Sequence, residues 1–150
     1  MAENYRINAI KQHGFVASFG ETVIAPLASA PRIESNRKTV ESLIYENGGV
    51  EAVASHLVQD SATITLETKD VLTALELLSD FTLGENIMAE ERKKPLTFTP
   101  LAENEKTLLF PAAYLQADAS YVPSMGKDHV ARLVFKAFAD SETKKLFMMV

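Results

Sequence analysis

Cysteine and tryptophan are both absent from this 150-residue chain. Without cysteine there is no disulfide framework, no thiol nucleophile and no thiolate metal site, which fits a reducing place of assembly. Glycine is scarce, at six residues. None of them falls into a Gly-x-Gly-x-x-Gly or Walker pattern, so neither a dinucleotide nor a phosphate cradle is encoded. A Gly-x-Ser-x-Gly elbow is also missing, which removes the usual way of exposing a serine nucleophile beside an oxyanion hole. Long apolar runs are lacking too: no stretch approaches the roughly 20 residues of a membrane span. Near the start, Glu3, Asn4, Arg6 and Asn8 break up any hydrophobic region of a signal peptide. The expectation is a protein of cytoplasmic origin that does not insert into membranes.

What is present suits a globular fold. Apolar residues make up 47% and charged residues 23%, a balance that excludes global disorder and supplies a core without metal or disulfide. The formal net charge is −5, and the basic residues are scattered. Arg37-Lys38 lies near Glu34 and Glu41, and Arg92-Lys93-Lys94 follows Glu90-Glu91. These are solvated charged faces rather than a surface that neutralises phosphates.

Periodicity places the elements. Phe15, Ala17 and Phe19 share one side of a strand, Gly20-Glu21 makes a turn, and Thr22 to Ala25 returns. Pro26 and Pro31 lack backbone donors and put Pro26 to Asn36 on an edge or in a loop. Two readings stand for Arg37 to Gln59. Val40, Leu43 and Ile44 suit a short helix, whereas Val50, Ala52 and Ala54 alternate as in a strand. Asn47-Gly48-Gly49 is a turn signal, and with it the segment becomes a long hairpin whose tip lies there.

Ser61 to Thr68 alternates strictly, with Ala62, Ile64 and Leu66 on the dry face. Asp70 to Phe81 then switches to a helical period. Val71, Leu72, Leu75 and Leu78 form its stripe, Leu77 and Phe81 flank it, Thr68 or Asp70 caps the start and Gly84 closes the end. A surface loop over Glu85 to Lys94 leads to a short strand, Leu96 to Thr99. Further strands are expected over Lys106 to Phe110, Ala113 to Tyr121, Val130 to Ala137 and Lys144 to Val150, with a turn at Pro123 to Asp128. About seven strands and one helix predict a mainly β (α+β) domain over residues 1–150, an antiparallel sandwich or barrel with the helix packed on it. An N-terminal arm, 1–12, and the hairpin or loop 37–59 complete it.

Catalytic and metal constellations are not encoded. His13, His56 and His129 stand in separate elements without ligand spacing, and His56 and His129 read as partly buried strand residues. Glu90-Glu91 lies in a Lys-flanked polar stretch, which does not raise a carboxyl pKa as general acid catalysis requires. Met148-Met149 and Phe135, Phe138 and Phe147 read as core or subunit-contact residues. No cofactor, metal site or enzymatic role is expected. The stretches whose apolar residues are not demanded by a monomer core are the arm, with Tyr5, Ile7 and Ile10, and the hairpin, with Leu43, Ile44, Tyr45, Val50 and Val53. These are the candidate subunit-interface residues.

The order of elements, together with Thr107-Leu108-Leu109-Phe110-Pro111-Ala112-Ala113-Tyr114-Leu115 and the run Gly126 to Ala137, resembles the tail-tube family of long-tailed phages and contractile injection systems. The resemblance implies a structural virion protein whose sheets join between subunits into hexameric rings, stacked as a tail tube for genome delivery. It also implies self-association and contacts with other tail proteins, with DNA passing through the lumen without specific binding. The implied location is the virion tail, assembled in the host cytoplasm. A tail terminator, baseplate component or capsid decoration protein would share the same pattern. An unrelated binding module or enzyme would instead need a concave pocket with convergent polar groups.

Overall fold

A computed structural model describes residues 15–25, 27–46, 49–101, 105–122 and 130–150, with 43–46, 49–53 and 120–122 described by their backbone alone. Among the described residues, eight strands form one sheet: β1 (Phe15–Phe19), β2 (Thr22–Ile24), β3 (Arg32–Glu46), β4 (Gly49–Thr68), β5 (Lys94–Pro100), β6 (Leu108–Val122), β7 (Val130–Phe138) and β8 (Met148–Met149). Among the described residues one α-helix, α1 (Val71–Ser79), follows β4. The sheet order is β2-β1-β5-β6-β7-β4-β3, every pairing is antiparallel, and β8 adds to the start of β6.

The alternation that predicts strands also decides which face is dry. Ala131, Leu133, Phe135 and Ala137 of β7 are fully buried, while Arg132 and Lys136 between them are exposed. Ala62, Ile64 and Leu66 of β4 do the same beside them, in register through Ile64 with Phe135 and Leu66 with Leu133. Ala17, Phe19, Ile24, Leu96, Phe98 and Phe110 join this cluster from the other half of the sheet. Each fully buried large side chain contributes about 1.5–3 kcal/mol of transfer free energy. The curled sheet thereby encloses one core between its two halves.

The sheet does not close into the expected barrel. A bridge between Leu27 and Thr68 and a bond from the Ala28 N–H to the Glu67 carbonyl (2.7 Å) tie the segment after β2 to the end of β4. Closure needs a continuous ladder with matched tilt and stagger. Here β2 spans only three residues, and β3 ends the opposite side of the sheet. The architecture is the expected mainly β one with a helix packed on the sheet, and the antiparallel sheet is open rather than closed into a barrel.

α1 lies on the curled sheet near β6 and β7. Asp70 is its N-cap, accepting from the Thr73 N–H (3.2 Å) and hydroxyl (2.6 Å). The far end is capped by Asp80, not by Gly84, which lies beyond it in the loop with φ of 91°. The packed face also differs from the expected stripe. Ala74 is fully buried and Val71, Leu77, Leu78 and Phe81 pack on the core, whereas Leu72 is 69% exposed. The small Cβ of Ala74 lets the helix approach the sheet closely, and that sets the phase.

The loop after α1 folds back over the opposite face of β6. Gln116 and Ala112 are buried there, and the Gln116 amide donates to Met88 Sδ (3.5 Å) and the Tyr114 carbonyl (3.3 Å). β6 runs unbroken where two strands are expected, with a register shift between Leu115 and Ala119. The terminal strand is shorter than expected, two residues against seven, although Leu146 before it is buried. The expected turn at Pro123 to Asp128 lies outside the described residues.

Candidate subunit interface

β3 and β4 pair along 37–46 and 49–59 as the two arms of a hairpin, with pairs running from Arg32 opposite Thr65 to Glu46 opposite Gly49. Extended backbone replaces the helical alternative for this stretch. β7 pairs with β4 only from Ser61 to Thr68. Beyond that point the two strands have no other strand partner among the described residues, and they leave the sheet as a two-stranded ribbon. Nine residues of β3, from Lys38 to Glu46, extend about 30 Å at about 3.3 Å per residue. The pairing shifts register between Lys38 and Thr39 and again between Ser42 and Leu43.

The root of the ribbon is clamped. Arg37 Nε donates to Asp60 Oδ1 at 2.9 Å, and its guanidinium carbon lies 5.7 Å from the centroid of Phe147. The Asp60 carbonyl accepts from the Ala139 N–H (3.2 Å), the last bond joining β4 to the segment after β7. Phe147 in turn packs on Phe110 with centroids 6.0 Å apart. The direction in which the ribbon leaves the body is therefore fixed by one ion pair, one backbone bond and one ring.

Past the root, the described side chains of residues 38–42 and 55–59 face solvent. Val40, Leu57 and Val58 are each more than half exposed, and His56, opposite Val40, is exposed rather than partly buried as a strand in the body would make it. A solitary two-stranded hairpin is at best marginally stable in water. Exposed apolar residues on such a ribbon gain their burial only against another surface. Leu43, Ile44, Tyr45, Val50 and Val53 have their backbone in this ribbon, toward its tip. Tyr5, Ile7 and Ile10 lie outside the described residues, as do His13 and His129. The structure thus groups five of the eight expected interface positions on one projection. Val40, Leu57 and Val58 join them as exposed apolar residues on the ribbon, and their spacing carries no period.

A cavity of about 490 Å³ lies between α1 and β1, bordered by Phe19, Thr73, Leu77, Glu85 and Arg92. Arg92 and Glu85 on its border are committed to each other. The Arg92 guanidinium reaches Glu85 (2.7 Å) and the Asp80 carbonyl (2.8 Å) and stacks 4.5 Å from the Phe81 ring centroid. That guanidinium, with the Thr82 N–H, holds the Glu85 carboxyl below its ordinary pKa. Lys94 lies with its ammonium 5.7 Å from the Phe19 ring centroid. The pairing of Arg92 with Glu85 fastens the loop to the helix end. Among the described residues, no group of three His, Asp or Glu side chains is placed to hold a metal ion, and no helix is long and apolar enough to cross a membrane.

No protein family and no curated protein matches the chain. Solved structures do. A chain in the cap that terminates the anti-feeding prophage tube superposes with a TM-score of 0.56 at 15% identity, covering 84% of this chain and 85% of that one. A chain in the sheath–tube complex of the extracellular contractile injection system PVC gives 0.53 at 14% identity over 97% and 96%. One in the tail of an empty gene transfer agent particle, a structure with C6 symmetry, gives 0.51 at 20% identity over 86% and 85%. The chain has a tail-tube-like fold. At these identities the tube-like likeness is one of fold, and it spans nearly the full length of both partners.

Proposed function

We propose that this chain is a structural tail component of a phage-like particle or contractile injection system, forming rings that stack into a tail tube. The observation that carries this reading is the β3–β4 ribbon, which extends about 30 Å from the sheet with both outer edges open and apolar residues on display. A sheet with two unlike edges, β2 and β3, favours head-to-tail association, which closes into a ring when the rotation between copies fits. The C6 symmetry of the gene transfer agent tail supports six copies per ring.

In this reading Leu43, Ile44, Tyr45, Val50 and Val53 of the ribbon meet a neighbouring subunit. Other tail proteins meet the ends of the stack. DNA passes through the lumen without specific binding, in keeping with a net charge of −5. The role is mechanical rather than catalytic, no cofactor enters it, and its place is the virion tail after assembly in the host cytoplasm. The likeness to a chain of a tube-terminating cap favours a second reading, in which the rings close the end of a tube instead of building its length.

Electron microscopy of the purified protein at high concentration, with its mass in solution, tests both. Stacked rings or tubes support the tube subunit. Single rings that stay unstacked support the terminator, and a persistent monomer overturns both forms of self-assembly.

A further inference from the structure

The curled sheet leaves an apolar groove at the Phe15 end of β1, whereas α1 covers the Phe19 end. Its volume is about 270 Å³, and Phe15, Pro31, Ile33, Phe98, Leu108 and Met149 form most of its lining. Phe98 is buried, while Ile33 is 41% and Met149 52% exposed. Water in such a groove finds few polar partners, so an apolar side chain is its favoured occupant.

The chain itself brings candidates to this place. Phe15 lines the groove, and the residues leading into it include Tyr5, Ile7 and Ile10. Ile10 lies five positions before Phe15 and Ile7 eight, spans of at most about 17 Å and about 27 Å. Both side chains can return to the groove without leaving the neighbourhood of their own subunit. A short tether also holds them there at an effective concentration in the millimolar range, above that of a neighbouring copy in dilute solution.

We infer that the groove is the socket of the chain's own N-terminal arm, with Ile7 and Ile10 as its apolar occupants. The arm keeps Phe15, Ile33 and Met149 out of water in the free subunit. The inference rests on the groove and the chain connectivity and does not depend on the tube reading.

Because the chain has no cysteine, two introduced thiols are the only ones present. The full-length protein carrying Ile7→Cys with Ile33→Cys is treated with a short bifunctional thiol reagent across a range of protein concentrations. Ile7→Cys with Met149→Cys probes the opposite wall, should the first pair not fold. Ile7→Cys with Val40→Cys, on the exposed ribbon, is the control. The expected result is a cross-link within one chain, formed at least about tenfold faster than in the control and at a rate independent of concentration. Rates equal to the control overturn the socket. Cross-links that join two chains also overturn it and assign the arm to a neighbouring subunit.

Discussion

Phe19 of β1 and Phe135 of β7 meet with their ring centroids 4.9 Å apart and their planes inclined by 53°, although β5 and β6 lie between their strands in the sheet. Two residues separated by two strands can touch only if the sheet curls and brings its inner face against itself. This pair therefore reports the curvature that encloses the core, and it links the N-terminal hairpin to the C-terminal half of the chain.

Phe135→Ala should be among the most damaging single changes, costing about 3–5 kcal/mol, because the ring is fully buried and its neighbours are held by separate strands that collapse poorly. Urea unfolding followed by far-ultraviolet circular dichroism measures it. A loss under about 1 kcal/mol would mean that the two halves of the sheet do not pack as described.

Asp70→Ala removes the acceptor for the Thr73 N–H and hydroxyl and should cost about 1 kcal/mol. Asp70→Asn, which keeps an oxygen acceptor, should restore most of it. If the two variants have equal stability, Asp70 does not cap α1 through its side chain.

Glu85 contributes in a pH-dependent way. The Arg92 guanidinium, and then the Thr82 N–H, lower its pKa in the folded protein. A depressed carboxylate pKa gives stability that is present above the unfolded value and is lost as pH falls through the folded one. The difference in melting temperature between the native chain and Glu85→Gln should therefore shrink on acidification from about pH 6 to about pH 3. A difference that stays constant over this range would show that the carboxylate is not held by Arg92 in solution.

Leu43, Ile44 and Tyr45 changed together to Ser should leave a folded monomer that no longer assembles. Sedimentation and circular dichroism on the same sample separate the possibilities. A protein that still forms rings removes these residues from the interface, and one that fails to fold places them in the core.

Where one face of a strand is dry and the other wet, the residues reveal the fold directly. β7 and the Ser61–Thr68 part of β4 are legible for that reason, since Leu133, Phe135, Ile64 and Leu66 stand at every second position. The phase of α1 is not legible from hydrophobicity alone. Leu72 is more apolar than Ala74, yet close approach to the sheet selects the smaller side chain and leaves Leu72 in solvent. Closure is hidden for another reason, because whether a sheet becomes a barrel depends on pairing between its first and last strands, and β2 carries too few residues to settle it. On the ribbon, Val40, Leu57 and Val58 face no core within the subunit, so their spacing obeys no period that one chain could reveal.

The two register shifts in the ribbon bear on the life of the protein before it meets a partner. A straight free edge of fifteen residues is a template on which any extended chain can accrete, the first step toward fibrous precipitate. Each shift leaves one extra residue in β4, Val58 and Val53, which twists the ribbon and with it the β3 edge, so only a strand with a matching contour fits along its full length. The same irregularities that leave the hairpin without a neat ladder would let a crowded pool of free subunits stay dispersed until the correct surface arrives.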